Sequence, residues 1–209
     1  MPKLVLTYFT VRARAEALRM ILAHGKVEYE FVSTGGEAYG KAKSEGAFPF
    51  DQLPVMDIDG ERLGQSGALS RYCAKLAGLY PSDPLAALRA DEIFEMGQEM
   101  SEMNPIVNIF TGELFETKKA EYMGGFPKKA QALVKRLGEK KFFCGDEVTY
   151  GDFSVYHVLD MVLLLDEKAL VDFPTLVAWM GRVAELSGVK EYLQTRARVV
   201  GVGTAPRTE

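Results

Sequence analysis

Cysteine and histidine are scarce in this chain, with two of each among 209 residues. Cys73 and Cys144 form no Cys-x-x-Cys pair; one disulfide between them is the alternative, but free thiols in a reducing cytoplasm are expected. His24 and His157 have no cysteine or histidine cluster around them, so a tight zinc site has no ligands to use and no metal is expected. No apolar run is long enough to span a membrane, and the first residues lack the charged-then-apolar build of a secretory leader. Charge is nearly balanced, 25 Lys and Arg against 29 Asp and Glu, and the net −4 gives nucleic acid no general attraction. Internal repeats and low-complexity segments are missing too. Together these absences point to a cytoplasmic, cofactor-poor globular protein.

What is present is a 47% apolar composition, enough for a packed core, in a chain long enough for one large domain or two small ones sharing an interface. Residues 3–9 read as a strand, residues 12–24 as a helix with Ala17, Leu18, Ile21 and Leu22 in one stripe, and residues 27–32 as an alternating strand. A loop and short helix carry Tyr39 and Lys43. Val55, Met56 and Ile58 form a third strand, Asp59-Gly60 is a two-residue hairpin turn, and residues 61–63 return. Gln65-Ser66 then opens a helix that Gly78 stops. Pro54 stands just before the third strand, where a proline costs no ladder hydrogen bond. A helix N-terminus preceded by an amide and a hydroxyl is a good seat for a carboxylate, because free N–H groups and the helix dipole converge there.

The order to residue 78 is therefore β-α-β-α-β-β-α. Tyr80 to Pro84 reads as a linker, and beyond it only helices are expected. A long helix runs from Leu85 to about Met103, disturbed by Gly97 and ended or kinked near Pro105, and residues 106–122 continue helically. Gly124-Gly125 should break that segment and Pro127 start the next. Thr149-x-x-Asp152 is a capping box ahead of the apolar run 153–165. Pro174 starts a helix with Leu176, Val177, Met180 and Val183 inward, and a shorter one covers 189–194. The tail 199–209 has no clear pattern.

The string from Leu53-Pro54 through Asp59-Gly60 to Gln65-Ser66 and Arg71-Tyr72 resembles the glutathione-binding half of the cytosolic glutathione S-transferases. Residues 145–153 are similar to that family's marker for the core helix of its second domain, and Pro174-Thr175-Leu176-x-x-Trp179 to its late helix. The resemblance covers about residues 4–193. The run Leu6 to Arg19 is most similar to the sigma class. The fold so implied is α/β followed by all-α: a thioredoxin-like glutathione-binding domain at 1–80, a linker at 81–85 and an all-helical domain at 86–209.

Strand position alone would make Tyr8 a structural aromatic and Arg14, one turn into the first helix, a solvated charge. The resemblance makes them the catalytic tyrosine and its supporting arginine. A phenol donating a hydrogen bond to sulfur stabilises the thiolate more than the thiol, so the thiol pKa falls. The resemblance also assigns glutathione contacts to Tyr39, Lys43, Gln52, Leu53, Pro54, Gln65 and Ser66, with Glu99, or Gln98 as the second choice, reaching the γ-glutamyl amine from a partner subunit. Tyr39 stands where sigma-like proteins often carry tryptophan. Phe9, Val11, Met103 and Ile106 are candidates to line the second-substrate cleft, with Val199 and Val200 over it. Glu95 and Glu99 are acidic but Gln98 is not, so no metal on the dimer axis is expected.

The resemblance implies a homodimeric transferase that joins glutathione to hydrophobic electrophiles, with reduction of organic peroxides as a further reaction. A prostaglandin D synthase-type isomerase and a non-enzymatic crystallin-like or scaffold protein share the fold and stand as alternatives. Retention of Tyr8, Arg14 and Gln65-Ser66 counts against the last, because packing alone does not require that combination.

Overall fold

In the computed structural model, which describes residues 1–209, the chain opens with β1 (Leu4–Tyr8), α1 (Glu16–His24), β2 (Glu30–Ser33), α2 (Gly36–Ser44), β3 (Val55–Ile58), β4 (Glu61–Gly64) and α3 (Ser66–Leu76). The sheet runs β2-β1-β3-β4. β1 lies parallel to β2 and antiparallel to β3, and β3 is antiparallel to β4. As an inner strand β1 is covered on both faces, and Leu4, Leu6, Thr7 and Tyr8 are all buried. The β3–β4 turn places Asp59 at φ 51° and Gly60 at φ 95°, the pair of positive angles that a two-residue hairpin matching the sheet twist requires.

Two boundaries differ from expectation. α1 begins at Glu16, not Arg12, because residues 12–15 form turns that tuck Ala13 and Ala15 against Tyr8. β2 starts at Glu30 rather than Val27, and as an edge strand it buries neither face: Phe31 and Val32 are each 39% exposed.

The second half is helical: α4 (Pro84–Glu99), α5 (Met103–Asn108), α6 (Gly112–Leu137), α7 (Tyr150–Leu165), α8 (Pro174–Ala184) and α9 (Val189–Thr195). Asp83 caps α4 by accepting the Ala86 N–H at 2.8 Å, so the linker closes at residue 83 rather than 85. Pro105 sits in the first turn of α5, where its missing N–H breaks nothing. The helical continuation expected over 106–122 is interrupted at residues 109–111.

Gly124-Gly125 and Pro127 do not break the chain; they lie inside the single 26-residue α6. An interior proline costs about 3 kcal/mol, but Phe126, Ala130, Leu133 and Leu137 form one buried stripe whose packing outweighs that cost. Gly97 does not disturb α4 either. It lets α4 and α7 touch, since a Cβ there would lie 2.2 Å from Ser154 Oγ, and one at Gly151 would lie 2.7 Å from the Ala90 carbonyl. In α8, Val177 is 51% exposed and Trp179 takes an inner place, because Val177 lies a helical step of about 100° from Leu176.

α7 is the hub of the molecule. Its capping box forms as expected, and Asp152 also accepts the Phe143 N–H and the Trp179 Nε1–H. The tail forms a hairpin of β5 (Val199–Val200) and β6 (Arg207–Thr208). A single cluster of 42 buried residues runs from Leu4 to Val189, so the α/β half and the helical half share one core. No helix is long and apolar enough to cross a membrane.

Candidate active-site cleft

Between α2, the β1–α1 loop and the N-terminus of α3 lies an open cleft of about 420 Å³. Its walls gather Phe9, Arg14, Tyr39, Lys43, Gln52, Leu53, Pro54, Gln65 and Ser66, nine of the residues singled out from sequence. Each element contributes for a local reason. Tyr39 and Lys43 are four residues apart and share one face of α2. Tyr39 is set by stacking on Phe48, with centroids 5.7 Å apart, and by an edge contact with Phe9 at 5.0 Å. The Leu53–Pro54 bond is cis, leading Gln52 and Leu53 along the cleft before β3 begins.

Gln65 is the residue ahead of α3, with φ 70° and no side-chain cap of its own, so the first turn of the helix is left without a side-chain acceptor where Gln65 and buried Ser66 line the cleft. Gln65 Nε2 donates to Gln52 Oε1 at 3.4 Å, joining the two strips of wall. Phe50, Asp51 and Gln65 all have positive φ, which non-glycine residues rarely adopt; strain of this kind collects at binding sites. Asp51 lines the cleft and was missed by sequence reasoning; its only signal was its place beside Gln52-Leu53-Pro54.

Neither Arg14 nor Lys43 makes an ion pair or side-chain hydrogen bond within the chain. With Asp51 opposite, the cleft therefore carries a net positive charge and three free polar heads. That favours a small anion or zwitterion.

Tyr8 stands directly behind the wall. It is 4% exposed and packs against Phe9, Val11, Ala13, Ala15 and Leu53. Its hydroxyl oxygen accepts the Arg14 N–H at 3.2 Å, which leaves the phenolic proton to be donated elsewhere. Burial raises the phenol pKa above 10, partly countered by the Arg14 N–H and by the Arg19 and Arg14 charges. Burial thus favours the protonated phenol. Arg14 lies in the turn before α1 rather than within the helix.

The other expected residues fall elsewhere. Glu99 is on an exposed face of α4, its carboxylate 3.6 Å from Lys129, away from this chain's own cleft. Met103 and Ile106, expected to line a second cleft, are 0% and 4% exposed and belong to the core, because the short α5 turns both inward. Val11 is half-buried in the β1–α1 loop. Val199 and Val200 are half-buried in the tail hairpin, whose Thr208 hydroxyl donates to the Thr10 carbonyl. His157 is buried in α7 and Cys144 is half-buried ahead of it, and neither lines the cleft.

Comparison with known proteins matches residues 4–75 to the glutathione S-transferase N-terminal domain and residues 102–196 to the glutathione S-transferase C-terminal domain. Mouse glutathione S-transferase Mu 2 is 31% identical over 200 residues, covering 92% of this chain and 91% of that one. Chicken hematopoietic prostaglandin D synthase is 31% identical over 203 residues, covering 95% of this chain and 98% of its own. The solved structure of rat hPGDS complexed with a quinoline superposes with a TM-score of 0.86 at 26% identity, covering 94% of this chain and 98% of that chain.

Proposed function

The chain belongs to the glutathione S-transferase family and is a glutathione-conjugating enzyme, and from that premise we propose how its cleft works. Glutathione lies along the cleft with its γ-glutamyl carboxylate at the N-terminus of α3, beside Gln65 and Ser66. Its backbone runs past Gln52, Leu53 and Pro54, and its glycyl carboxylate meets Lys43 near Tyr39. Its sulfur faces Tyr8. The observation that carries this reading is the convergence of two free cationic heads and an uncapped helix N-terminus on one cleft, with a protonated phenol immediately behind it.

A free thiol is only a few per cent ionised at neutral pH. The Tyr8 hydroxyl, itself receiving the Arg14 N–H, donates to the sulfur, and the Arg14 guanidinium adds positive potential; both favour the thiolate. The thiolate then attacks an electrophilic carbon held beside it, whose leaving group departs with the bonding pair, or a peroxide oxygen, whose O–O bond breaks to release an alcohol. In the second case another glutathione converts the sulfenic acid to disulfide and water. Fixed geometry supplies the rest of the rate gain. The electrophile approaches from the side of Phe9 and Val11, under the tail hairpin.

We assign the chain to a sigma-like group on the run Leu6 to Arg19, with a role in removing reactive electrophiles. Its halves divide into a glutathione domain at 1–80 and a helical domain from residue 84. Exposed Leu85 and Leu88 on α4 support a homodimer in which Glu99 reaches the partner's γ-glutamyl amine. Two unpaired cysteines suit a reducing cytoplasm.

The test is conjugation of glutathione to chlorodinitrobenzene by the wild-type protein and by Tyr8→Phe, with glutathione affinity measured alongside. Turnover should fall at least about tenfold with affinity little changed. Equal turnover in the two proteins would remove Tyr8 from the mechanism. Glutathione binding without conjugation would redirect the reading to prostaglandin isomerase substrates.

A further inference from the structure

Arg19 was read from sequence only as part of the N-terminal run, and it does not line the cleft. It is 9% exposed on α1, and its guanidinium spans the loop that follows Tyr8. Nη1 donates to the Val11 carbonyl at 2.8 Å and Nη2 to the Phe9 carbonyl at 3.2 Å. The intervening Thr10 carbonyl accepts from the Thr208 hydroxyl. None of these three carbonyls accepts a backbone N–H in the turns and loops, so side chains alone hold residues 9–11 by their carbonyls. The Arg19 Cζ also lies 5.7 Å from the Tyr8 ring centroid and 5.1 Å from that of Phe31.

The fork is held in place from behind. Glu16, fully buried, pairs with Arg19 at 3.3 Å and accepts the Tyr192 hydroxyl at 2.8 Å and Arg196 Nη1 at 2.9 Å. Arg196 in turn grips both Asp160 oxygens at 2.9 Å. A buried guanidinium is costly unless fully paired, and a planar fork is the side chain that can hold two carbonyls at a fixed spacing.

We propose that Arg19 is a positioning residue for thiol activation: by clamping the Phe9 and Val11 carbonyls it sets the loop that delivers the Arg14 N–H to the Tyr8 oxygen. The proposal rests on the reading in which Tyr8 binds the glutathione sulfur. An N–H donated to the phenol oxygen makes its O–H a better donor, so a loop that drifts weakens the hold on the thiolate without emptying the cleft. The charges that face the phenol are the Arg14 and Arg19 guanidiniums, with Glu16 behind Arg19. Lys43 and Asp51 stand on the cleft walls.

The experiment compares full-length wild-type protein, Tyr8→Phe, Arg19→Met and Arg19→Lys. Four quantities are read: the pKa of bound glutathione from its thiolate ultraviolet absorbance, the pH profile of kcat/KM for chlorodinitrobenzene, glutathione affinity, and melting temperature. Arg19→Met should raise the bound thiol pKa by about one unit and lower kcat/KM about tenfold at neutral pH, with the loss recovered at high pH. Affinity for glutathione should change less than about threefold. Arg19→Lys, a point charge able to reach one carbonyl, should fall between, with a loss of about threefold. A purely structural arginine would lower the melting temperature and leave the thiol pKa where it was. That result in either folded Arg19 variant overturns the proposal, and the lysine variant decides if the methionine variant does not fold. If Tyr8→Phe shifts the thiol pKa and the Arg19 variants do not, only the role of Arg19 falls. If Tyr8→Phe leaves the thiol pKa unchanged, the reading of the cleft falls with it.

Discussion

Asp152 is the residue whose loss the fold should tolerate least. It is fully buried, and its two oxygens take four donors: the Phe143 N–H at 3.1 Å, the Thr149 N–H at 2.9 Å, the Thr149 hydroxyl at 3.1 Å and the Trp179 Nε1–H at 3.2 Å. In Asp152→Ala the hydroxyl can rotate away, but the two backbone N–H groups and the indole are fixed and buried. Each stranded donor costs about 1–3 kcal/mol, and loss of a cap about 1 more. Against this, alanine removes a carboxyl whose pKa burial pushes upward, so part of the cost is recovered. The net expectation is about 3–5 kcal/mol, and at about 2–4 °C per kcal/mol for a chain of this size Tm should drop on the order of 10 °C. Asp152→Asn keeps one oxygen for Phe143 and Trp179 but turns an amide toward the Thr149 N–H, so about half that loss is expected. Urea and thermal unfolding, followed at one fixed protein concentration because any dimer makes Tm concentration-dependent, measure both variants. Turnover per folded molecule well below Tm should be unchanged, since Asp152 does not line the cleft. An alanine variant melting within about 3 °C of wild type would refute the accounting.

Two further outcomes follow from packing and titration. Gly97→Ala should destabilise by about 2 kcal/mol despite its gain of about 1 in helix propensity, because its Cβ meets Ser154; Gly124→Ala, with open space around it, should gain that propensity and raise Tm. His157 is buried with both ring nitrogens unpartnered, and burial pushes its pKa from 6.5 down to about 3. Its folded pKa lies below its unfolded one, so its contribution is intact above pH 6.5 and is lost as pH falls toward 3, by about 1.4 kcal/mol per unit. His157→Leu should flatten stability across that window relative to wild type in urea titrations at stepped pH; equal slopes would show that His157 is already protonated in the fold.

The parts of this molecule legible in its sequence are those whose cause is local. The Asp59-Gly60 turn, the Thr149/Asp152 capping box and the Pro174 start each depend on residues within four positions, and all three form. The misreadings came where a distant partner decided. Gly124, Gly125 and Pro127 carry a strong local signal to stop, which a buried stripe along α6 overrides. Gly97 looks like a flaw in α4 until α7 is laid across it. Met103 and Ile106 belong to a short helix whose facing could not be known before the break at 109–111. Most of the cleft was legible through the resemblance to the glutathione S-transferases, which short runs such as Gln52-Leu53-Pro54 and Gln65-Ser66 carry. Asp51 was not, since it joins the wall through an unusual backbone turn, and neither was the Glu16–Arg19–Arg196 cluster, whose members meet only in the folded chain.

That cluster also bears on the order in which the enzyme is made. Arg196 meets Glu16 across 180 positions, and Thr208 meets Thr10 across 198. A chain emerging from the ribosome exposes its N-terminal residues first, and early-emerging segments begin to fold first. The sheet that carries Tyr8, and the Arg19 fork, are therefore available long before Arg196 and Thr208, which back them from the far half of the chain. Until Arg196 and Thr208 have emerged, the Glu16–Arg19 pair lacks its Arg196 backing and the Thr10 carbonyl its hydroxyl donor. A product that stops short of Arg196 keeps the cleft residues and lacks these two fastenings.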